Sequence, residues 1–345
     1  MSSPIALTSN ATLSPKGHGW RWWITRILLG LLGLFATIAL VTLVAGAIAR
    51  ANLQAQFPAT GRLVDVGGYK LHINCQGSNA GSTVILEAGA GATSLDWALV
   101  QPEVSRFATV CAYDRAGIGW SDVSPKPRSA AVMVEELHTL LEKTGLKGPF
   151  VFVGHSIGGI VSRHYAVKYP SEVAGLVLVD SAHEQQIRRY PASVVASTTG
   201  GLNQLKIFET LIAIGIPALF PALAPLEPRL PEQVAAAHRA LMISDPKQIA
   251  AGRGEIEELM KGDTPPVATL GALPLVVVSR GKAEMGMDKD TSAQTERVWT
   301  AMQLELAALS SRGQRVVATG SGHTIQLDEP SIVIDAIRQV WSAGR

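Results

Sequence analysis

Ser156 lies in Gly154-His155-Ser156-Ile157-Gly158, directly after the apolar run 150–153 and before a helix-like stretch. A serine spaced this way sits on a sharp strand-to-helix turn, with glycines at the two positions where a Cβ atom would clash. The turn lifts the hydroxyl clear of the sheet. The helix N-terminus behind it offers backbone N–H groups to a developing oxyanion. This is nucleophile chemistry, and it needs a base to take the serine proton and an acid to orient that base. Among eight histidines, His323 stands apart, because Gly320-Ser321-Gly322-His323 forms a glycine-rich loop between the strand-like 314–318 and the helix-like 330–341. Two acids compete for the third role. Asp180 ends the apolar strand 176–179, and Glu284 follows the strand 275–278. Without a chemical role, the first would be a strand-end residue binding nearby backbone and the second a solvated loop charge.

Tyr113-Asp114-Arg115-Ala116-Gly117-Ile118-Gly119-Trp120-Ser121 resembles the D-x-x-G-x-G-x-S loop of the α/β-hydrolase fold superfamily. Ala88-Gly89, with Trp97 further on, sits where many members carry His-Gly and a later Trp. The resemblance covers about the last four-fifths of the chain, and the order Ser, acid, His is the one this fold uses. It implies that the N–H groups of Ala90 and Ile157 form the oxyanion hole. Ala88 replaces the usual histidine, so the internal hydrogen bond of that loop must be made differently. Asp180-Ser181-Ala182-His183 resembles a membrane-linked subgroup with its acid at this place, which favours Asp180 over Glu284 as the triad acid. The resemblance also sets the second and fourth strands side by side. Cys75 and Cys111, the only two cysteines, then meet in a disulfide, the alternative being two buried free thiols.

The elements that must position these residues are legible in the pattern. A strand from Arg62 turns through Gly67-Gly68 and returns over 69–75, a hairpin signature. Strands at 83–87, 109–113 and 150–153 then alternate with helices over 130–144 and from the elbow through Tyr169. Such alternation predicts an α/β fold with a mostly parallel sheet covered on both faces. Residues 183–270 are too many for a loop. Within them, Phe208, Ile212, Leu219, Phe220 and Leu223, broken by Pro217, Pro221 and Pro225, predict short apolar helices forming a cap that favours an apolar acyl or alkyl group. The hydrolase domain is expected over 61–345.

Ahead of it, residues 27–49 carry no charge, enough at 1.5 Å per residue to cross a bilayer core of about 30 Å. Trp20, Trp22 and Trp23 form an aromatic belt at its start, with Lys16, Arg21 and Arg26 on the same side and Arg50 alone close to the other. This bias predicts a cytoplasmic tail over 1–26, a single transmembrane helix over 27–49, a tether over 50–60 and an extracytoplasmic hydrolase domain. Ala47-Ile48-Ala49 fits a signal-peptidase site, so a secreted form after cleavage is the alternative.

With 345 residues, 47% hydrophobic content and a net charge of +2, the chain has apolar content for a full core and no electrostatic case for nucleic acid. No His/Cys cluster has metal-ligand spacing, and Gly89-Ala90-Gly91 lacks the Lys-Ser/Thr of a phosphate loop; no metal and no cofactor is expected. The function predicted is cleavage of small-molecule carboxylic esters by a Ser156–His323–Asp180 triad through an acyl-enzyme. Alternatives are a peptidase or lactonase of the same fold, or a catalytically silent membrane-anchored binding protein.

Overall fold

The computed structural model describes residues 18–78, 81–283 and 287–344. Eight strands form one sheet in the order β1-β2-β4-β3-β5-β6-β7-β8. They are β1 (Arg62–Asp65), β2 (Lys70–Gln76), β3 (Val84–Glu87), β4 (Val110–Tyr113), β5 (Phe150–His155), β6 (Val173–Val179), β7 (Leu275–Arg280) and β8 (Gly313–Ala318). β1 and β2 form an antiparallel hairpin, β2 pairs antiparallel with β4, and all other pairings are parallel.

Alternation along the central strands divides the core in two. Ile85, Cys111, Phe152, Leu176 and Val277 face one side, where they meet α2 (Ala130–Thr144) and α3 (Ile157–Lys168). Leu86, Ala112, Val153, Val177 and Val276 face the other, against α9 (Pro330–Ala343). That helix buries Val333, Ala336, Ile337, Val340 and Trp341, the one-sided spacing of an amphipathic helix. Strands covered on both faces need apolar residues at every position, and β5 and β6 are buried throughout. Cys75 and Cys111 are direct cross-strand partners in the β2–β4 register, with Cα atoms 4.0 Å apart, and form a disulfide.

Between β6 and β7 the chain forms a helical cap: α4 (Ala192–Ala213), α5 (Ile216–Leu219), α6 (Glu232–Ser244) and α7 (Pro246–Lys261). The long α8 (Lys289–Ala308) then leads into β8. The N-terminal helix α1 runs from Trp20 to Gln56, so it starts before the uncharged run and continues through most of the segment expected as a tether. Only residues 57–61 separate it from β1. The extension has a packing reason, since α1 rests against α5 and α6 of the cap. Gln54 donates to the Ser244 carbonyl at 3.3 Å, and the Trp120 indole N–H donates to the Phe57 carbonyl at 3.0 Å.

Candidate active site

Ser156 occupies the turn between β5 and α3 with φ 52° and ψ −123°, one of two non-glycine residues with positive φ among the described residues. The turn survives because of its neighbours: a Cβ on Gly154 would fall 2.5 Å from the Gly158 carbonyl oxygen, and one on Gly158 would fall 2.5 Å from those of Glu87 and Ala88. The strained residue is held by its own backbone, the N–H donating to Val179 at 3.1 Å and the carbonyl accepting from Ala182 at 2.9 Å.

The second such residue is Asp180, φ 38°, at the C-terminal end of β6 and fully buried. Its carboxylate accepts from His323 Nδ1 at 2.6 Å and Arg280 Nη1 at 2.9 Å on Oδ2. On Oδ1 it accepts from the Arg280 backbone N–H at 3.0 Å and Trp299 Nε1 at 2.7 Å. Burial alone would raise its pKa, but the hydrogen bond and charge of His323, with Arg280, outweigh it and hold the carboxyl below the usual range. The contact assigns the proton of His323 to Nδ1 and leaves Nε2 as the basic nitrogen. His323 follows β8 on its loop with its side chain 31% exposed. His155 supports that loop, since its Nε2 donates to the His323 carbonyl at 2.9 Å while Gln326 donates to its Nδ1 at 3.3 Å. Burial, reinforced by His323, lowers the His155 pKa to about 3, so this ring remains a neutral prop.

The loop after β3 lies over the elbow, where a Cβ on Gly89 would be 3.4 Å from Ser156 Cβ. Arg115 makes the internal contacts of this loop. Its Nη1 donates to the Ala88 carbonyl at 2.7 Å and its Nη2 to the Gly89 carbonyl at 2.6 Å. In a trans peptide the carbonyl of one residue and the N–H of the next point in opposite directions. Holding the Gly89 carbonyl therefore turns the Ala90 N–H away from Arg115, and that N–H has no partner among the described residues. Ile157 opens α3, where first-turn N–H groups lack intrahelical acceptors. Arg115 is neutralised by Glu87 at 2.5 Å and by Glu255 of α7 at 2.7 and 2.8 Å, and Glu255 also accepts from the Gly91 N–H at 3.0 Å. Tyr113 hydroxyl donates to Glu87 in the same buried network.

Residues 82–201 match the family described as alpha/beta hydrolase fold. An esterase from Thermogutta terrifontis superposes with a TM-score of 0.59 at 22% identity, covering 83% of this chain and 99% of the esterase. This is an α/β-hydrolase-fold protein. A serine hydrolase involved in carbazole degradation superposes on the same fold with a TM-score of 0.57 at 19% identity, over 81% of this chain and 98% of that one. In sequence the chain is similar to the uncharacterized protein YqjL of Bacillus subtilis, 27% identical over 279 residues, 81% of this chain and 91% of the relative. It is also similar to an uncharacterized vacuolar membrane protein of Saccharomyces cerevisiae, 34% identical over 134 residues, 34% of this chain and 21% of the yeast protein.

The hydrolase fold thus brings His323 to Asp180 and sets the Gly89–Ala90 loop against Ser156. Glu284 lies outside the described residues. Sequence reasoning missed Arg115, Glu255, Arg280 and Trp299 as parts of this site. Arg280 left a faint signal, a charge two residues after the apolar run 275–278; Glu255, in a helix of ordinary charged residues, left none.

Proposed function

We propose that this protein is a membrane-anchored serine hydrolase that cleaves carboxylic esters by acyl transfer. The observation that carries the reading is the 2.6 Å contact between His323 Nδ1 and the buried Asp180 carboxylate, in a chain whose elbow serine precedes both. Ser156 Oγ attacks the ester carbonyl carbon as its proton passes to His323 Nε2, and Asp180 stabilises the imidazolium that forms. The N–H groups of Ala90 and Ile157 hold the oxyanion of the tetrahedral intermediate. The intermediate collapses, the alcohol leaves with the proton from His323, and the acyl group stays on Ser156. Water, deprotonated by His323, then releases the carboxylic acid and restores the serine. The small-molecule substrate is one with an apolar acyl or alkyl part, in keeping with the apolar composition of the cap.

The anchor is α1, whose mean hydropathy reaches 2.7 over its most apolar window. Its tryptophan and arginine flank supports a cytoplasmic N-terminus and an extracytoplasmic hydrolase domain, and the disulfide agrees with an oxidising compartment. The Ala47-Ile48-Ala49 segment lies inside α1 beside the cap contact at Gly46, which favours an anchor that stays attached.

A fluorophosphonate probe tests the mechanism, because only an activated serine reacts at a useful rate. The wild-type protein is expected to label and to hydrolyse short-chain esters, and Ser156→Ala to do neither with its fold intact. Substantial turnover by the folded variant would refute the reading.

A further inference from the structure

Outside α1, most exposed large apolar side chains of the described residues stand singly, but Phe220 (60% exposed), Leu223 (58%) and Leu226 (39%) follow at every third position of the cap. Residues 210–226 around them carry no charged side chain at all. A free-standing apolar tip in water is costly and marks an interaction surface. Its place in the fold names the partner. Gly215, which opens the tip, packs backbone to backbone on α1: a Cβ there would lie 2.3 Å from Gly46 Cα. Half-buried Ala39, Thr42, Ala45 and Ala49 extend this contact along one face of α1, with Gly46 buried in its middle.

Gly46 is three residues inside the end of the uncharged run 27–49, which is about 5 Å along the helix, and Ala39 is about 10 Å deeper. The start of the cap tip therefore stands level with the outer end of the apolar span. The cap is further tied to α1 by the Gln54–Ser244 hydrogen bond, and the Trp120 loop is tied to Phe57 just past its end. We propose that Phe220, Leu223 and Leu226 are seated in the lipid interface beside α1, the depth of about 5–10 Å at which apolar faces of surface-bound helices rest. The inference rests on α1 spanning the bilayer. It also has a consequence for the substrate. Arg229, three residues beyond Leu226, donates to Thr324 Oγ1 at 2.7 Å and to Asp328 Oδ1 at 2.6 Å, tying the tip to the loop that carries His323. Seating the tip brings that loop to the lipid surface, and the ester class that fits is one dissolved in the bilayer.

Both native cysteines are in the disulfide, so a single introduced cysteine can be spin-labelled selectively in the full chain. Phe220→Cys and Leu223→Cys are labelled in phosphatidylcholine nanodiscs. Phe35→Cys in the middle of α1 serves as the lipid reference, and Val123→Cys, at a 60% exposed position, as the water reference. Collisions with oxygen and with a water-soluble nickel chelate are compared at each site. Labels at 220 and 223 are expected to lose nickel collisions and gain oxygen collisions, as at 35. Nickel access equal to that at 123, with 35 still in lipid, overturns the seating while leaving the anchor standing. Protection of 220 and 223 from both reagents means burial against protein and overturns it as well. Nickel access at 35 itself removes the spanning helix, and the seating falls with it.

Discussion

Asp180 has four donors on two oxygens, and this sets what its removal does. Asp180→Asn keeps the volume but replaces one acceptor with an amide, so the His323 ring loses the partner that selects its Nδ1–H tautomer. In the proposed triad, turnover of an ester should fall roughly 10⁴-fold, with labelling by the fluorophosphonate probe slowed in parallel. Because Arg280 keeps its ion pair with Glu296 at 2.8 Å, the variant should remain folded by circular dichroism. Turnover within about tenfold of wild type would remove Asp180 from the triad. The depressed pKa of this carboxyl also means that it stays ionised below the usual carboxylate range, so Asp180 is not expected to set the acid limb of the pH–rate profile.

At the scale of elements, two buried arginines fasten separate parts of the chain to the elbow. Arg115 joins the loop after β4 to the Gly89–Ala90 loop and, through Glu255, to cap helix α7. A lysine cannot reproduce its forked contacts. Arg115→Lys should lower kcat by up to roughly 10²-fold with KM little changed, the signature of losing a group aligned for the transition state. Steady-state kinetics on one ester reads the split; a pure KM effect would mean that Arg115 only shapes binding. Arg163 of α3 is fully buried and reaches Ser181 at 2.7 Å, the Ala182 carbonyl at 2.9 Å and Glu184 at 2.9 Å, tying the helix behind Ser156 to the start of the cap. Burial opposes ionisation of Glu184, yet Arg163 and His164 hold its pKa down to about 2. A folded pKa below the ordinary 4.5 means stabilisation that is complete above 4.5 and is lost as pH falls toward 2. Glu184→Gln should therefore destabilise by about 3 kcal/mol at neutral pH. Its Tm deficit against wild type should shrink on acidification through that window, and a deficit independent of pH would show that charge is not its source.

For the whole molecule, α1 is the anchor of the proposed reading and also part of the packing. Its 37 residues span about 55 Å, longer than a bilayer core of about 30 Å. It meets the cap both within the uncharged run, at Gly46, and beyond it, at Gln54, while the Trp120 loop bonds Phe57 just past its end. A tag fused ahead of Trp20 should be protected from protease added to intact cells, and one fused after Arg345 should be digested. The reverse pattern would overturn the positive-inside argument for this chain.

The elbow was legible because its signature is local, a serine with a glycine two residues to either side, although the fold also needs Gly158 against the Glu87 and Ala88 carbonyls and holds the serine backbone through Val179 and Ala182. The same holds for the Gly67-Gly68 hairpin, the continuous apolar runs of the parallel strands and the uncharged run in α1. His323 could be picked out by its glycine-rich loop, and the cysteines by their strands. Tertiary structure alone decided which groups close on those positions. Asp180 meets His323 across 143 residues, Glu255 meets Arg115 across 140, and Gly46 meets Gly215 through a backbone contact. Periodicity and propensity report neighbours a turn or a strand apart, whereas a buried charge takes its partner from whatever part of the chain packing delivers within hydrogen-bond reach. The place of the missing histidine shows the difference. Ala88 stands in the sequence where the resemblance expects a histidine, and only the folded sheet, which sets β3 beside β4, brings Arg115 to the Ala88 carbonyl.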